Sequence, residues 1–358
     1  MVWHPNGQGR ETPAMDEVAT AERRSRLLAV LRSRWARAVL GLVVVAVAFF
    51  WALPTFASYR DVWSRLGDIS PGYGVALAIV GAANLIAPST SQRAALPGLR
   101  LDGAVAADWT TSAITNTVPA GSALALGVTW SMYRSFGLAN GPIARSIVVT
   151  GVWDTFVKFG TPLLALAWLS TERPLSPGLV QAAVVGAALF VVVVGLGAVL
   201  LAGPETANRI GRLVDRAPFT GDGWPNRLSS VREDTIALLA DRWRGLTFWT
   251  VAGHANLYVL LLVCLRAVGV TSIEASAAAV LAAFAFGRLI TAIPLTPGGL
   301  GVMEVGLTGA LAAVSDAGEA TVVAAVLLFR FLTFAIPIPL GLISWLLWTS
   351  GRFRMANA

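Results

Sequence analysis

The stretch "PLTPGGLGVMEVG", residues 294–306, stands between two long apolar runs and carries two prolines, four glycines and one carboxylate, Glu304. Proline removes an amide donor and blocks the preceding helical turn, while glycine lets backbone approach backbone or ligand closely. The meaning of such a break depends on the surrounding solvent, and composition identifies it. With 56% hydrophobic and only 13% charged residues, and a mean hydropathy of +0.68, the chain is too apolar for an ordinary soluble fold. The expected fold is all-α, a polytopic transmembrane helix bundle. Breaks in such a bundle are tolerated at membrane depth only where freed backbone groups are buried in protein or face water.

Working outward, apolar spans run over 37–57, 72–92, 142–169, 178–202, 246–268, 273–293 and 321–348. Each holds about 20 to 28 residues, enough to cross about 30 Å of hydrocarbon. Residues 104–134, broken near Asn116 and Pro119, and residues 298–314, short and Gly-rich, read either as full crossings or as halves of re-entrant hairpins. Residues 1–36 are Arg-rich with no secretory signal pattern, and read as a cytoplasmic tail, disordered or with a basic helix over 23–37. Domain 37–350 is the membrane part, and 351–358 a short tail.

Arginine-rich short segments favour the cytoplasmic side. The tail and the loop 203–245, with Arg209, Arg212, Arg216, Arg227, Arg232, Arg242 and Arg244, should therefore both lie inside. Five full crossings between them would put the loop outside. A hairpin at 104–134 removes the conflict. The C-terminus, with Arg352 and Arg354, is inside if 298–314 counts as a crossing. Within the loop, Leu228, Val231, Leu238, Leu239 and Trp243 recur at helical spacing, which predicts an interfacial helix that packs on the bundle ends or senses lipid head groups.

"NTVPAGSALALG", residues 116–127, shares the plan of the later break: an apolar run, a proline, a small-residue turn and a new helical run. One such break in each half of a chain points to an internal repeat with a site at the junction. After Pro297, the amides of Gly298, Gly299 and Gly301 are expected to open a helix and present its positive end to an anionic head group, with Glu304 about two turns in. The plainer reading is that these glycines allow close packing and that Glu304 caps or pairs locally.

Ionisable residues inside spans are Asp154, Lys158, His254, Arg288, Glu304 and Arg330. Asp154 and Lys158, four apart, can pair on one helix. His254 reads as a bundle hydrogen-bonder. Arg288, Glu304 and Arg330 come from three segments around the second break and form the candidate charged cluster, in which arginine suits phosphate through its planar fork. The candidate substrate-binding residues are Pro119, Gly121, Arg288, Pro297, Gly298, Gly299, Gly301, Glu304 and Arg330, with Asn116, Asp154, Lys158 and His254 secondary. No metal site or cofactor is expected: Cys264 is the only cysteine, only His4 and His254 add imidazole, and the one lysine, in "VKFG", does not make a P-loop.

Pro297 to Val302 followed by Glu304, with the Pro119–Gly121 break and Arg330, resembles the flippase-like family, also described as the lysylphosphatidylglycerol synthase transmembrane region. The resemblance covers about residues 38–350. It implies translocation of lipids or lipid-linked precursors, with an anionic lipid or lipid-linked phosphate and the membrane as partners, and no nucleic acid. Two departures stand out. "VTGVWDTF" keeps Asp154 without the Glu-Arg pair family members often carry before it, and the chain stops at Ala358 without the soluble catalytic domain of the two-domain synthases. Aminoacyl transfer is therefore not expected, and the protein is not read as an enzyme. An accessory or enzyme of polyprenyl-phosphate glycosyl transfer, or a scaffold acting through the arginine-rich tail and loop, is the alternative; no Asp-x-Asp, HExxH or GxSxG pattern favours the enzyme.

Overall fold

Proline at the first helical turn, where its missing N–H is no loss, starts two of the long apolar helices, at Pro71 and Pro177. The computed structural model describes residues 59–118, 121–215, 224–290 and 296–351, which are helical with no strand among them. The expected tail 1–36, the basic helix at 23–37, the span 37–57, Pro119, Pro294, Arg352 and Arg354 lie outside the described residues.

In chain order the helices are α1 Tyr59–Gly67, α2 Pro71–Ala95, α3 Leu101–Thr117, α4 Gly121–Ser135, α5 Asn140–Glu172, α6 Pro177–Ala202 and α7 Pro204–Asp215. They continue as α8 Trp224–Ala267, α9 Ala277–Ile290, a single 3-10 turn at Pro297–Gly299, α10 Val302–Val314, α11 Glu319–Arg330, a π-helical turn at Phe331–Ala335, and α12 Pro337–Thr349. Among the described residues, four stretches are long and apolar enough to cross a membrane: Pro71–Ala95, Asn140–Glu172, Ala240–Ala267 and Glu319–Thr349.

The bundle has two ends. At the arginine-rich end, Leu96, Leu99, Tyr133 and Ile143 pack together with Trp348 of α12, and Ala95 and Val149 pack with Leu238 and Leu246 of α8. At the opposite end, Ser276 bonds Glu172, Arg173 Nη2 donates to the Val314 carbonyl at 3.1 Å, and the Asp316 amide donates to the Glu274 carbonyl at 2.8 Å.

These contacts define two antiparallel helix pairs that enter from opposite ends. α3 and α4 start and finish at the arginine-rich end. Their turn closes with the Gly121 amide on the Val118 carbonyl at 2.8 Å, and a Cβ at Gly121 would run into the Ile114 carbonyl and lie 2.9 Å from Thr115 Cα. α9 and α10 start and finish at the opposite end; a Cβ on Gly287 of α9 would meet Leu307 of α10 at 3.3 Å. The tips meet inside the bundle, where Asn116 Nδ2 donates to the Phe334 carbonyl at 3.1 Å and a Cβ on Gly298 would lie 2.6 Å from Asn116 Oδ1.

Two expectations change. The run 273–293 is not a crossing: Thr271–Ser276 is irregular and α9 has 14 residues, about 21 Å against about 30 Å of hydrocarbon. Its partner α10, in 298–314, is the returning half of the same hairpin, which decides between the two readings left open for that stretch. Two crossings and one hairpin both add an even number, so the end at which α12 finishes is unchanged. Finally, 224–245 is not a separate interfacial helix but the first half of the 44-residue α8, within which Leu238 is buried and Trp243 is exposed beneath the Arg244 guanidinium.

α11 and α12 form one span interrupted by the π-turn, where the Ile336 amide reaches the Phe331 carbonyl five residues back at 3.0 Å. Pro337 supplies the cause: it has no N–H for the carbonyl four residues earlier, and its ring crowds that turn. α12 then crosses α3 at close quarters, since a Cβ at Gly341 would collide with the Trp109 carbonyl and Ala113 Cβ.

Candidate functional site

The segment after Pro297 makes its turn with three left-handed glycines within four residues, Gly298 (φ 56°), Gly299 (φ 69°) and Gly301 (φ 82°), conformations that cost other residues free energy. Gly301 caps α10, and Glu304, one turn in rather than two, folds its carboxylate back onto that cap: Oε2 accepts from the Gly301 amide at 2.6 Å. The other oxygen accepts from Arg330 Nε at 2.7 Å. Arg330 Nη2 also donates to the Gly298 carbonyl at 3.1 Å, and the guanidinium lies over the Phe334 ring, 4.7 Å from its centroid. One arginine thus ties the α10 cap, the glycine turn and the π-turn together.

Of the two readings of this helix end, the geometry favours local capping by Glu304, since two of the three glycine amides are engaged within the chain. The Gly301 amide is already held by Glu304, and the Gly299 amide donates to the Thr296 carbonyl at 3.1 Å. A buried carboxylate inside the chain supplies the negative charge that this helix end favours.

Arg330 and the glycine turn form one wall of a cavity of about 850 Å³. Lys158 and Asp154 of α5, His254 of α8, Arg288 of α9 and Asp108 of α3 line the others. Asp154 Oδ2 lies 2.5 Å from Lys158 Nζ, and its Oδ1 lies 2.9 Å from His254 Nε2. Arg288 stands near enough for its charge to interact with that of Asp154. The cavity reaches from the hairpin tips toward the arginine-rich end, where Ser91 bonds Thr250 at 2.9 Å and Gln92 bonds Thr150 at 3.3 Å across its walls. Toward the opposite end the bundle is filled by packed apolar side chains, including Phe284, Leu307, Val322 and Phe329.

A family model described as the lysylphosphatidylglycerol synthase transmembrane region matches residues 38–341. The chain belongs to this family. The match includes both hairpins and each of the cavity's charged residues. No curated protein matches the chain. Family membership makes it a membrane protein of the lysylphosphatidylglycerol synthase and flippase-like type.

Within this family member, Asn116, Asp154, Lys158, His254, Arg288, Gly298, Gly299 and Arg330 all line the one cavity. Glu304 is 1% exposed and acts behind it, orienting Arg330. Gly301 is the helix cap and Gly121 the closure of the first hairpin; both shape backbone rather than face the cavity. Pro297 opens the 3-10 turn. Among the described residues, no three His, Cys, Asp or Glu stand together as a metal ligand set. The sequence reading missed two participants. Asp108 is an ionisable residue inside an apolar segment, the criterion that selected the other charges, and was overlooked in "AADWTTS". Phe334 carries no charge to mark it; the "AIPIP" run beside it was the available signal of a backbone irregularity.

Proposed function

We propose that this protein translocates an amphipathic lipid bearing a phosphate in its head group across the cytoplasmic membrane, with the head group passing through the cavity and the hydrocarbon remaining in the bilayer. The observation that carries the reading is the meeting of two opposed hairpins at a charged cavity inside a membrane bundle. Polar, irregular backbone at that depth is tolerated where it lines a cavity, and hairpins approaching a shared site from opposite ends are the plan of transport proteins. Lys158, Arg288 and Arg330 supply cationic donors, and the two bonds that hold Arg330 engage only part of its five-donor fork. Asp154, paired with Lys158, and Glu304, paired with Arg330, offset part of this positive charge.

The arginine-rich end faces the cytoplasm in this reading, so the cavity opens toward the inner leaflet. No chemical change of the lipid is part of the reading. The test is reconstitution of the purified protein into liposomes containing trace fluorescent phosphatidylglycerol or a labelled polyprenyl phosphate, with outer-leaflet reduction or extraction as the readout. Transbilayer movement well above that of protein-free liposomes, lost in Arg330→Gln, is expected. Movement no faster than in empty liposomes across both lipids, or recovery of covalently altered lipid, overturns it.

A further inference from the structure

Beside the charged cavity, a second pocket of about 320 Å³ lies between α3, α4 and the π-turn. Its chemistry differs sharply. Ser112, Thr115, Asn116, Ser122, Thr129 and Thr333 carry hydroxyl or amide groups on its wall, and none of its lining residues is ionisable. The same six residues also line the charged cavity, so the two spaces communicate. Thr129 and Thr333 donate to carbonyls one turn back on their own helices, at 3.0 and 2.9 Å, which leaves their oxygens as acceptors. Thr333 follows Arg330 by three residues, within the π-turn, and both side chains line the charged cavity.

The geometry points to a subsite for an uncharged polyhydroxyl group esterified to the lipid phosphate. This rests on the translocator reading and names its substrate class: a lipid phosphodiester whose terminal group is a sugar or cyclic polyol. Such a group both donates and accepts at every hydroxyl, and a wall of Ser, Thr and Asn answers in both senses. On this pocket's own wall an ammonium head group would find no carboxylate and an acidic sugar no cation; the charged groups stand in the adjoining cavity. With the phosphate at Arg330, the next substituent reaches the wall at Thr333 and Asn116. The pocket's volume is at the lower end of the range for small-molecule sites, about 300–1,000 Å³.

The chemistry has two sources, a glycosylated polyprenyl phosphate or a phosphoinositide, and the experiment separates them. Binding to the detergent-solubilised full chain is measured by native mass spectrometry for polyprenyl-phosphate glucose and for phosphatidylinositol. Each is compared with the methyl phosphodiester of the same lipid, which keeps the charge and removes the polyol. At least one polyol lipid should bind on the order of tenfold more tightly than its methyl counterpart, as expected for one or two added hydrogen bonds. The pair that shows the preference identifies the lipid. Thr115→Val combined with Ser122→Ala should bring that ratio toward unity, and Thr129→Val provides a second variant should the first not fold. Arg330→Gln should weaken polyol and methyl lipids alike. Equal binding of polyol and methyl diesters in both pairs overturns the subsite while leaving the phosphate reading intact. A polyol preference that survives in Arg330→Gln at undiminished affinity overturns the phosphate reading while retaining the subsite. Absence of binding by all four lipids overturns both.

Discussion

Arg330 and Glu304, from helices on either side of the 315–318 turn, meet at 2.7 Å with side chains 13% and 1% exposed. Removing one partner of a buried pair leaves an uncompensated charge, a loss of roughly 3–5 kcal/mol. Glu304→Gln should therefore lower the unfolding temperature in detergent markedly, and Arg330→Gln should do so as well. The double variant should fall short of the sum of the single losses by roughly 1–3 kcal/mol, the coupling expected of residues in contact. Strict additivity would show that the pair is not energetically coupled.

Glycine at 298 is held by space as well as by its backbone angle. Gly298→Ala places a Cβ 2.5 Å from Phe334 Cε2 and 2.6 Å from Asn116 Oδ1 at a φ of 56°. A loss of roughly 1–3 kcal/mol is expected from strain and displacement of the hairpin tip. Gly309, in the interior of α10 with nothing near its would-be Cβ, should respond oppositely, with Gly309→Ala stabilising by about 0.5–1 kcal/mol. Thermal unfolding of the two variants side by side measures this contrast.

The two apolar runs 72–92 and 142–169 became α2 and α5 because hydropathy and helix length agree there. The hairpin at 104–134 was legible for a different reason: the arginine count could not be balanced by another crossing. Hydropathy failed at 273–293 because it counts apolar residues without following the backbone, and Ile273 is apolar yet sits 92% exposed in the connecting loop. Of the expected charged cluster, Glu304 and Arg330 do pair, whereas the charge that Arg288 interacts with is that of Asp154; the direction of Glu304 was not legible. Whether a carboxylate points out to a ligand or back to its own helix cap depends on a turn of three left-handed glycines, which residue types permit but do not impose.

Asp154 provides a separation of site from scaffold. Its side chain is 40% exposed and that of Lys158 is 27% exposed, against 1% for Glu304, so this pair faces the cavity and its loss should cost less stability than loss of the Arg330–Glu304 pair. Asp154→Asn should therefore unfold at a higher temperature than Glu304→Gln. It also disturbs both Lys158 and His254 inside the cavity, so lipid movement in liposomes should fall by about tenfold or more, in line with loss of about 1.4 kcal/mol of site interactions. A drop in unfolding temperature as large as that of Glu304→Gln, or full transport, would contradict this division.

Sidedness follows from the two ends. In a Cys264→Ser background, cysteines at Asn140 or Ser229, at the arginine-rich end, should resist an impermeant thiol reagent in intact cells and react after permeabilisation. Cysteine in place of Ile273, in the loop at the opposite end, should react without permeabilisation. The reverse pattern would invert the orientation, and labelling of all three would break the paired-hairpin topology.

The opposed hairpins also constrain how the protein is made. α3, α4, α9 and α10 have 17, 15, 14 and 13 residues, below the ~20 needed for a helix to be recognised as a spanning segment. Their lengths predict that they enter the bilayer as passengers, sheltered by longer neighbours. The first hairpin is synthesised early, yet the helix that crosses α3 at Gly341 is the last described in the chain. Its polar turn must wait through most of translation for its cover. Biogenesis is thus a non-local assembly problem, in which late arrival of α12 completes a seat for an element that left the ribosome long before.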